Sequence, residues 1–122
     1  MSKKILFAAS EALPFVSSGG LADVVYSLPK ALCAQGLDVR VILPLYDNIS
    51  AELKSKMTFL GKTEVSLSWR RQYCGVFSCV YEGVTFYFID NEYYFHRGNL
   101  YGSYDDGERF AFFGKAVLES MQ

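Results

Sequence analysis

Two short stretches, "KKILFAA" at residues 3–9 and "DVRVILP" at 38–44, are almost wholly apolar and bracket a segment with helical spacing. Runs of this length suit strands buried on both faces, because a strand with one wet face alternates instead. Between them Leu21, Val24, Val25, Leu28 and Leu32 recur at i, i+3, i+4, i+7 and i+11, one stripe of a helix. Gly36 supplies the residue that ends it. Pro29 falls inside the stripe and predicts a kink around residues 25–29, since it removes a helical hydrogen bond. Strand, helix and strand within about forty residues make a βαβ unit, with parallel strands and a right-handed crossover.

The remainder extends that unit. "NISAELKSK" reads as a short helix, and residues 57–68, 70–81 and 84–89 are three β-rich stretches. Val65, Leu67 and Trp69 on one side of Arg70-Arg71, and Tyr73, Val76 and Phe77 on the other, predict an antiparallel hairpin; "VTFYFID" then returns to the main sheet. Residues 90–107 form a polar loop rich in Gly and Tyr, and "GERFAFFGKAVLESMQ" begins a helix with Phe110, Phe113, Val117 and Met121 on one side. The expected fold is α/β: a Rossmann-like three-layer αβα arrangement with a mainly parallel sheet and an inserted β-hairpin. Three parallel strands are thin for a sheet that must be covered on both faces, so the chain is expected to be a piece of a longer one.

Composition narrows the function classes. At 51% hydrophobic residues, with 10 Phe, 9 Tyr and 1 Trp, the chain has the means to build a core, and its aromatics read first as core and sheet residues. The net charge is −1, and Lys3-Lys4 and Arg70-Arg71 are the only adjacent basic pairs, which leaves no footprint for a nucleic-acid backbone. No apolar run approaches the ~20 residues of a membrane span. The amino terminus, "MSKKILFAAS", lacks the cleavage-site logic of a signal peptide. Cys33, Cys74 and Cys79 are odd in number, have no C-x-x-C spacing and are joined by a single histidine, His96, so a zinc site is not expected. They read as reduced thiols, and the expected compartment is the cytoplasm.

In an open α/β sheet, ligands bind beyond the carboxyl ends of the strands. The loop at residues 10–20 is the most informative of those that qualify. Gly19 and Gly20 stand just before the helix, where backbone approaches a ligand closely and free helix N–H groups offer donors to an anion. Two readings stay open: a phosphate floor, or a tight turn with Ser18 as helix cap. The pattern is neither G-x-G-x-x-G nor a Walker motif, which disfavours a dinucleotide oxidoreductase. Asp23, in the first helical turn, reads as a dipole-stabilising carboxylate or as an acceptor for a sugar hydroxyl. His96 beside Arg97 reads as loop surface or as an acid/base pair. Asp105-Asp106-Gly107-Glu108 lacks calcium-loop spacing and reads as a turn and helix start.

"SSGGLADVVYSLPKAL" after "ASEALPFV" resembles the amino-terminal segment of bacterial glycogen synthases and plant starch synthases. Ser10-Glu11, Gly19 to Val24, Leu28-Pro29 and Ala31-Leu32 match the pattern of that family. So do "VRVILPLY", "GVTFYFIDNEYYFHRGNLYG" and "ERFAFFGKAVLE", in the family's order and over essentially the whole chain. The resemblance implies a partial amino-terminal domain of a GT-B glycosyltransferase at residues 1–122, whose carboxyl-terminal domain lies outside the chain. It implies transfer of glucose from ADP-glucose to the non-reducing end of an α-1,4-glucan, with retention and without metal or cofactor. It places Gly19 and Gly20 against the donor diphosphate, Asp23 near the donor site and Tyr101 near the glucosyl group, and it implies that this segment alone is inactive. The alternative is a non-catalytic module of the same fold that binds glucan or a partner.

One position departs from the family pattern. The lysine two residues before the first glycine is Ser17 here, and the usual threonine is Ser18. Serine carries no charge, so a charge-assisted phosphate contact worth on the order of 1.5–3 kcal/mol is missing unless another cation replaces it.

Overall fold

The computed structural model describes residues 4–67 and 70–121. Five strands form one sheet in the order β1-β2-β5-β4-β3. They are β1 (Lys4–Ala8), β2 (Asp38–Pro44), β3 (Thr58–Leu67), β4 (Arg70–Tyr81) and β5 (Val84–Asp90). β1 pairs parallel with β2, and β2 parallel with β5, so that Ala8, Ile42 and Tyr87 share one register line. β3 and β4 continue the sheet as an antiparallel hairpin, with Leu67 opposite Arg70. The predicted hairpin is therefore present and extends one edge of the parallel block. Trp69 lies outside the described residues.

The helices are α1 (Gly20–Ala34), α2 (Ala51–Lys54), α3 (Glu92–Phe95) and α4 (Asp106–Ser120). Alternation along β5 divides the core into two halves, since neighbouring side chains of a strand point to opposite faces. On one face Phe15, in the loop entering α1, meets Phe86 and Phe88 edge-on at centroid distances of 4.9 and 4.8 Å. On the other, Val117 and Ser120 of α4 lie with Ile42, Val76 and Tyr87. Three layers result, as expected.

The outermost parallel strand departs from expectation. β1 was expected to be buried on both faces, yet it is the edge strand, and Ile5, Leu6 and Phe7 are only half-buried. The helix stripes are also displaced. α1 buries Ala22, Val25 and Pro29, while Leu21, Val24 and Leu28 are 45%, 53% and 45% exposed. Apolar residues sit on both sides of this helix, so spacing alone does not select the inner one. Contacts outside the helix decide it: Leu13 N–H donates to Ala22 O, and Cys33 Sγ donates to Val39 O. Pro29 sits in the buried stripe of a helix that runs on to Ala34, where Gly36 (φ +88°) follows as the turn residue.

In α4 the inward set is Arg109, Phe112, Phe113, Ala116 and Val117, with Met121 exposed. Phe110 leans instead on the Tyr101 ring at 5.9 Å. An arginine takes the expected place of a phenylalanine because its donors are needed there.

Candidate functional site

Parallel pairing places the carboxyl ends of β1, β2 and β5 together, so the loops 9–19, 45–50 and 91–105 emerge side by side. The first is anchored by buried apolar residues, with Ser10 and Glu11 at its start and an exposed polar tip. Ala12, Phe15 and Val16 are buried, and the amides of Phe15 and Val16 both donate to Ala12 O. Ser17, Ser18, Gly19 and Gly20 then emerge exposed. Burial of Ala12, Phe15 and Val16 fixes where the tip leaves the core.

Gly19 is the residue at the helix boundary, with extended backbone (φ −177°) and no side-chain hydrogen bond capping α1. Ser18 is therefore not the cap. Its amide and its hydroxyl both donate to Oε2 of Glu11, at 2.6 and 2.7 Å. The first-turn N–H groups of α1 have no intrahelical acceptor, and the helix dipole adds partial positive charge there. A Cβ built on Gly19 or on Gly20 would meet nothing within 4 Å. Neither crowding within the chain nor a left-handed backbone calls for glycine at these positions.

The other loops lock onto the first. Tyr46, fully buried after β2, donates its hydroxyl to Ser10 O at 2.7 Å, and burial pushes its phenol far above the ordinary range, so it stays a donor. The hydroxyls of Ser10 and Tyr101 are 2.6 Å apart. The amide of Gly98 donates to Asp47 Oδ1 at 3.0 Å. Of the residues singled out from sequence, Tyr101 is thus held against the Ser-Glu turn that also grips Ser18. Asp23 is exposed in the first turn of α1, and Ser17 is exposed at the loop tip.

The loop 91–105 is less loop-like than its composition implies. It contains α3, buries Tyr94, Phe95 and Leu100, and is organised by Arg109, whose side chain is fully buried. Arg109 donates to the carbonyls of Tyr94 (2.6 Å), Leu100 (3.1 Å) and Asn99 (3.3 Å), and to Asp106 Oδ1 (2.9 Å). Asp106 also accepts from the amides of Gly102 and Ser103, at 2.7 and 3.0 Å. His96 and Arg97 form no acid/base pair: Nε2 of His96 lies 3.3 Å from Asp90 Oδ1, while Arg97 is paired with Asp105. Asp105 to Glu108 form the turn and the start of α4, as expected.

Hydrogen bonds from Arg97 hold the Asp105 carboxyl below the usual carboxylate range, and those from the Gly102 and Ser103 amides and Arg109 do the same for Asp106. A depressed folded pKa contributes stability that is present above the unfolded value and lost as pH falls through the folded one. The segment 97–106 is therefore expected to loosen on acidification below about pH 4. Amide exchange at Gly102 and Ser103 should accelerate there; exchange that stays flat from pH 6 to 3, after correction for intrinsic rates, would contradict this.

A family model described as the starch synthase catalytic domain matches residues 4–122. The chain belongs to the starch synthase catalytic domain family. Among relatives, glycogen synthase of Clostridium botulinum (strain Eklund 17B / Type B) is 55% identical over 119 residues, which is 98% of this chain and 25% of that protein. Glycogen synthase of Caldicellulosiruptor bescii is 57% identical over 118 residues, 97% of this chain and 25% of that protein. The catalytic domain of starch synthase IV from Arabidopsis thaliana, solved bound to ADP and acarbose, superposes with a TM-score of 0.91 at 31% identity, over 99% of this chain and 25% of that one. The chain thus spans about a quarter of the length of these starch and glycogen synthase relatives. Among the described residues, no helix is long and apolar enough to cross a membrane.

Two contributors to the site escaped the sequence reading. Glu11 and Arg109 were quoted only as parts of matching motifs, and both act through burial and long-range hydrogen bonds. Their charged side chains inside apolar surroundings ("ASEALPFV", "GERFAFF") were the available signal, because a buried charge needs partners.

Proposed function

We propose that this chain forms the amino-terminal wall of the nucleotide-sugar site in a retaining, GT-B-type glucosyltransferase. That enzyme extends the non-reducing end of an α-1,4-glucan from ADP-glucose in the cytoplasm. The chain acts as part of a longer protein, whose second domain supplies the opposite wall. The observation that carries this reading is the α1 amino terminus: uncapped, bounded by two glycines with open space where side chains would be, and set among the loops at the strand ends. The family membership and the ADP and acarbose bound to the starch synthase relative support the choice of ligand class.

In this reading, Gly19 and Gly20 let the diphosphate oxygens reach the first amides of α1, which stabilise charge as the sugar–phosphate bond breaks. Asp23 accepts a hydroxyl of the donor, and Tyr101, steadied by Ser10, flanks the glucosyl group. Ser17 faces the same anion without charge.

The test uses the complete enzyme and labelled ADP-glucose and UDP-glucose, with wild type beside Ser17→Lys. Wild type should transfer glucose from ADP-glucose to glycogen. The lysine should lower the donor KM about tenfold, the equivalent of roughly 1.5 kcal/mol for one charge-assisted contact at an exposed position. No incorporation from ADP-glucose by wild type would sink the proposed reaction. An unchanged donor KM in Ser17→Lys would show that residue 17 does not face the phosphates. The 122-residue chain alone should transfer no glucose.

A further inference from the structure

The span from Ser17 to Leu21 is exposed at every position, between buried Val16 and buried Ala22. Its two adjacent glycines give it high backbone freedom, and freedom at a helix start works against a preformed anion site. Nothing in the span caps α1. What restrains it is Glu11: a carboxylate 3% exposed, one of whose oxygens accepts both donors of Ser18, the residue immediately before Gly19. Among the described residues no cation forms a salt bridge with it. A buried carboxylate without a cation is costly, and its hydrogen bonds to Ser18 offset part of that cost.

Resting on the function proposed above, we infer that Glu11 is a positioning residue for donor binding, acting through Ser18 to aim the Gly19–Gly20 backbone. Two hydrogen bonds to one oxygen, from backbone and side chain, restrain both the position and the rotation of Ser18. The amide and hydroxyl of Ser18 are thereby committed to Glu11, and the exposed Gly19 and Gly20 follow directly at the start of α1. The link also runs through the Ser10-Glu11 turn, to which Tyr101 and Tyr46 are bonded, so the phosphate side and the sugar side of the site share one anchor. The negative charge of Glu11 is a liability beside a diphosphate, which makes its presence there informative: an uncharged residue would serve an ordinary loop.

The experiment measures steady-state kinetics of the complete enzyme, varying ADP-glucose and glycogen separately, for Glu11→Ala, Glu11→Gln, Ser18→Ala and the double variant Glu11→Ala/Ser18→Ala. Glu11→Ala should raise the donor KM about tenfold or more while the glycogen KM stays within twofold. Glu11→Gln keeps one acceptor and should recover part of the loss. Ser18→Ala keeps the amide bond and should lose less, and the double variant should be no worse than Glu11→Ala alone, because both remove the same link. A fall in kcat with both KM values unchanged would mean fewer folded molecules and would overturn the inference. So would a lower donor KM in Glu11→Gln, which would assign Glu11 to simple repulsion of the anion. If Glu11→Ala does not fold, Glu11→Gln and Ser18→Ala decide alone: donor KM values within twofold of wild type in both overturn it. A wild-type enzyme inactive with ADP-glucose would fail the proposed function itself, whereas an active wild type with neutral variants fails only this inference.

Discussion

Gly20→Ala should leave the fold as stable as before, or up to about 1 kcal/mol more stable, while lowering ADP-glucose affinity of the complete enzyme at least tenfold. The two halves of that expectation come from different physics. Gly20 is the first residue of α1, its backbone is not left-handed, and an added Cβ would meet nothing within 4 Å. Replacing glycine by alanine at a compatible position stabilises by about 0.4–1 kcal/mol, because alanine has less backbone freedom to lose. A diphosphate seated on the α1 amides would use the space that the methyl group occupies, and each lost charge-assisted bond is worth about 1.5 kcal/mol or more. Thermal unfolding together with ADP titration reads both. A variant equally stable and equally tight would refute the assignment of the glycines to the donor; a variant less stable would mean that the chain itself requires them.

Arg109→Met should be strongly destabilising, by roughly 2–5 kcal/mol, at about 1–3 kcal/mol for each buried acceptor left without its donor. Methionine fills much of the same volume, so the loss reads out hydrogen bonding more than a cavity. The carbonyls of Tyr94, Leu100 and Asn99 and the Asp106 carboxylate all lose a donor, and the first two lie in the fully buried part of the bond network. Arg109→Lys should recover little, since a single ammonium cannot reach the separate acceptors set around the edge of a planar guanidinium. Denaturant unfolding of the two variants checks this; a loss under 1 kcal/mol in Arg109→Met would show that water satisfies the same groups.

What the sequence disclosed follows from which interactions leave a periodic trace. Strands β2 and β4 occupy the expected 38–44 and 70–81, β3 begins one residue later than expected and β5 ends one residue later, while the expected end of β3 at residue 68 lies outside the described residues. Their apolar runs and the turn residues between them carry that information locally. The inner face of α1 was misjudged because Leu21, Val24 and Leu28 satisfy helical spacing as well as Ala22, Val25 and Pro29 do, and only contacts outside the helix separate the two sets. The site divides in the same way. Gly19, Gly20, Asp23 and Tyr101 could be nominated from a motif, whereas the partner of Ser18 is a carboxylate seven residues away whose relevance depends on burial. The segment 90–107 looked like plain loop for the same reason: its glycines and tyrosines are visible in sequence, but the arginine that binds its carbonyls lies in the next helix.

The sheet order bears on how the molecule comes apart. β3, β4 and β5 are a meander of sequence neighbours, so each pairing closes a short loop. β2 reaches β5 only across the hairpin and α2, and β1 reaches β2 across α1, at a larger loop-closure entropy. Of the residues proposed to face the donor, Ser17 to Asp23 follow β1, the strand farthest from the meander, whereas Tyr101 follows β5, which belongs to it. Partial unfolding that starts at the β1 edge is therefore expected to reach the loop into α1 while the meander still holds, so the proposed donor site should fail before the β-structure does.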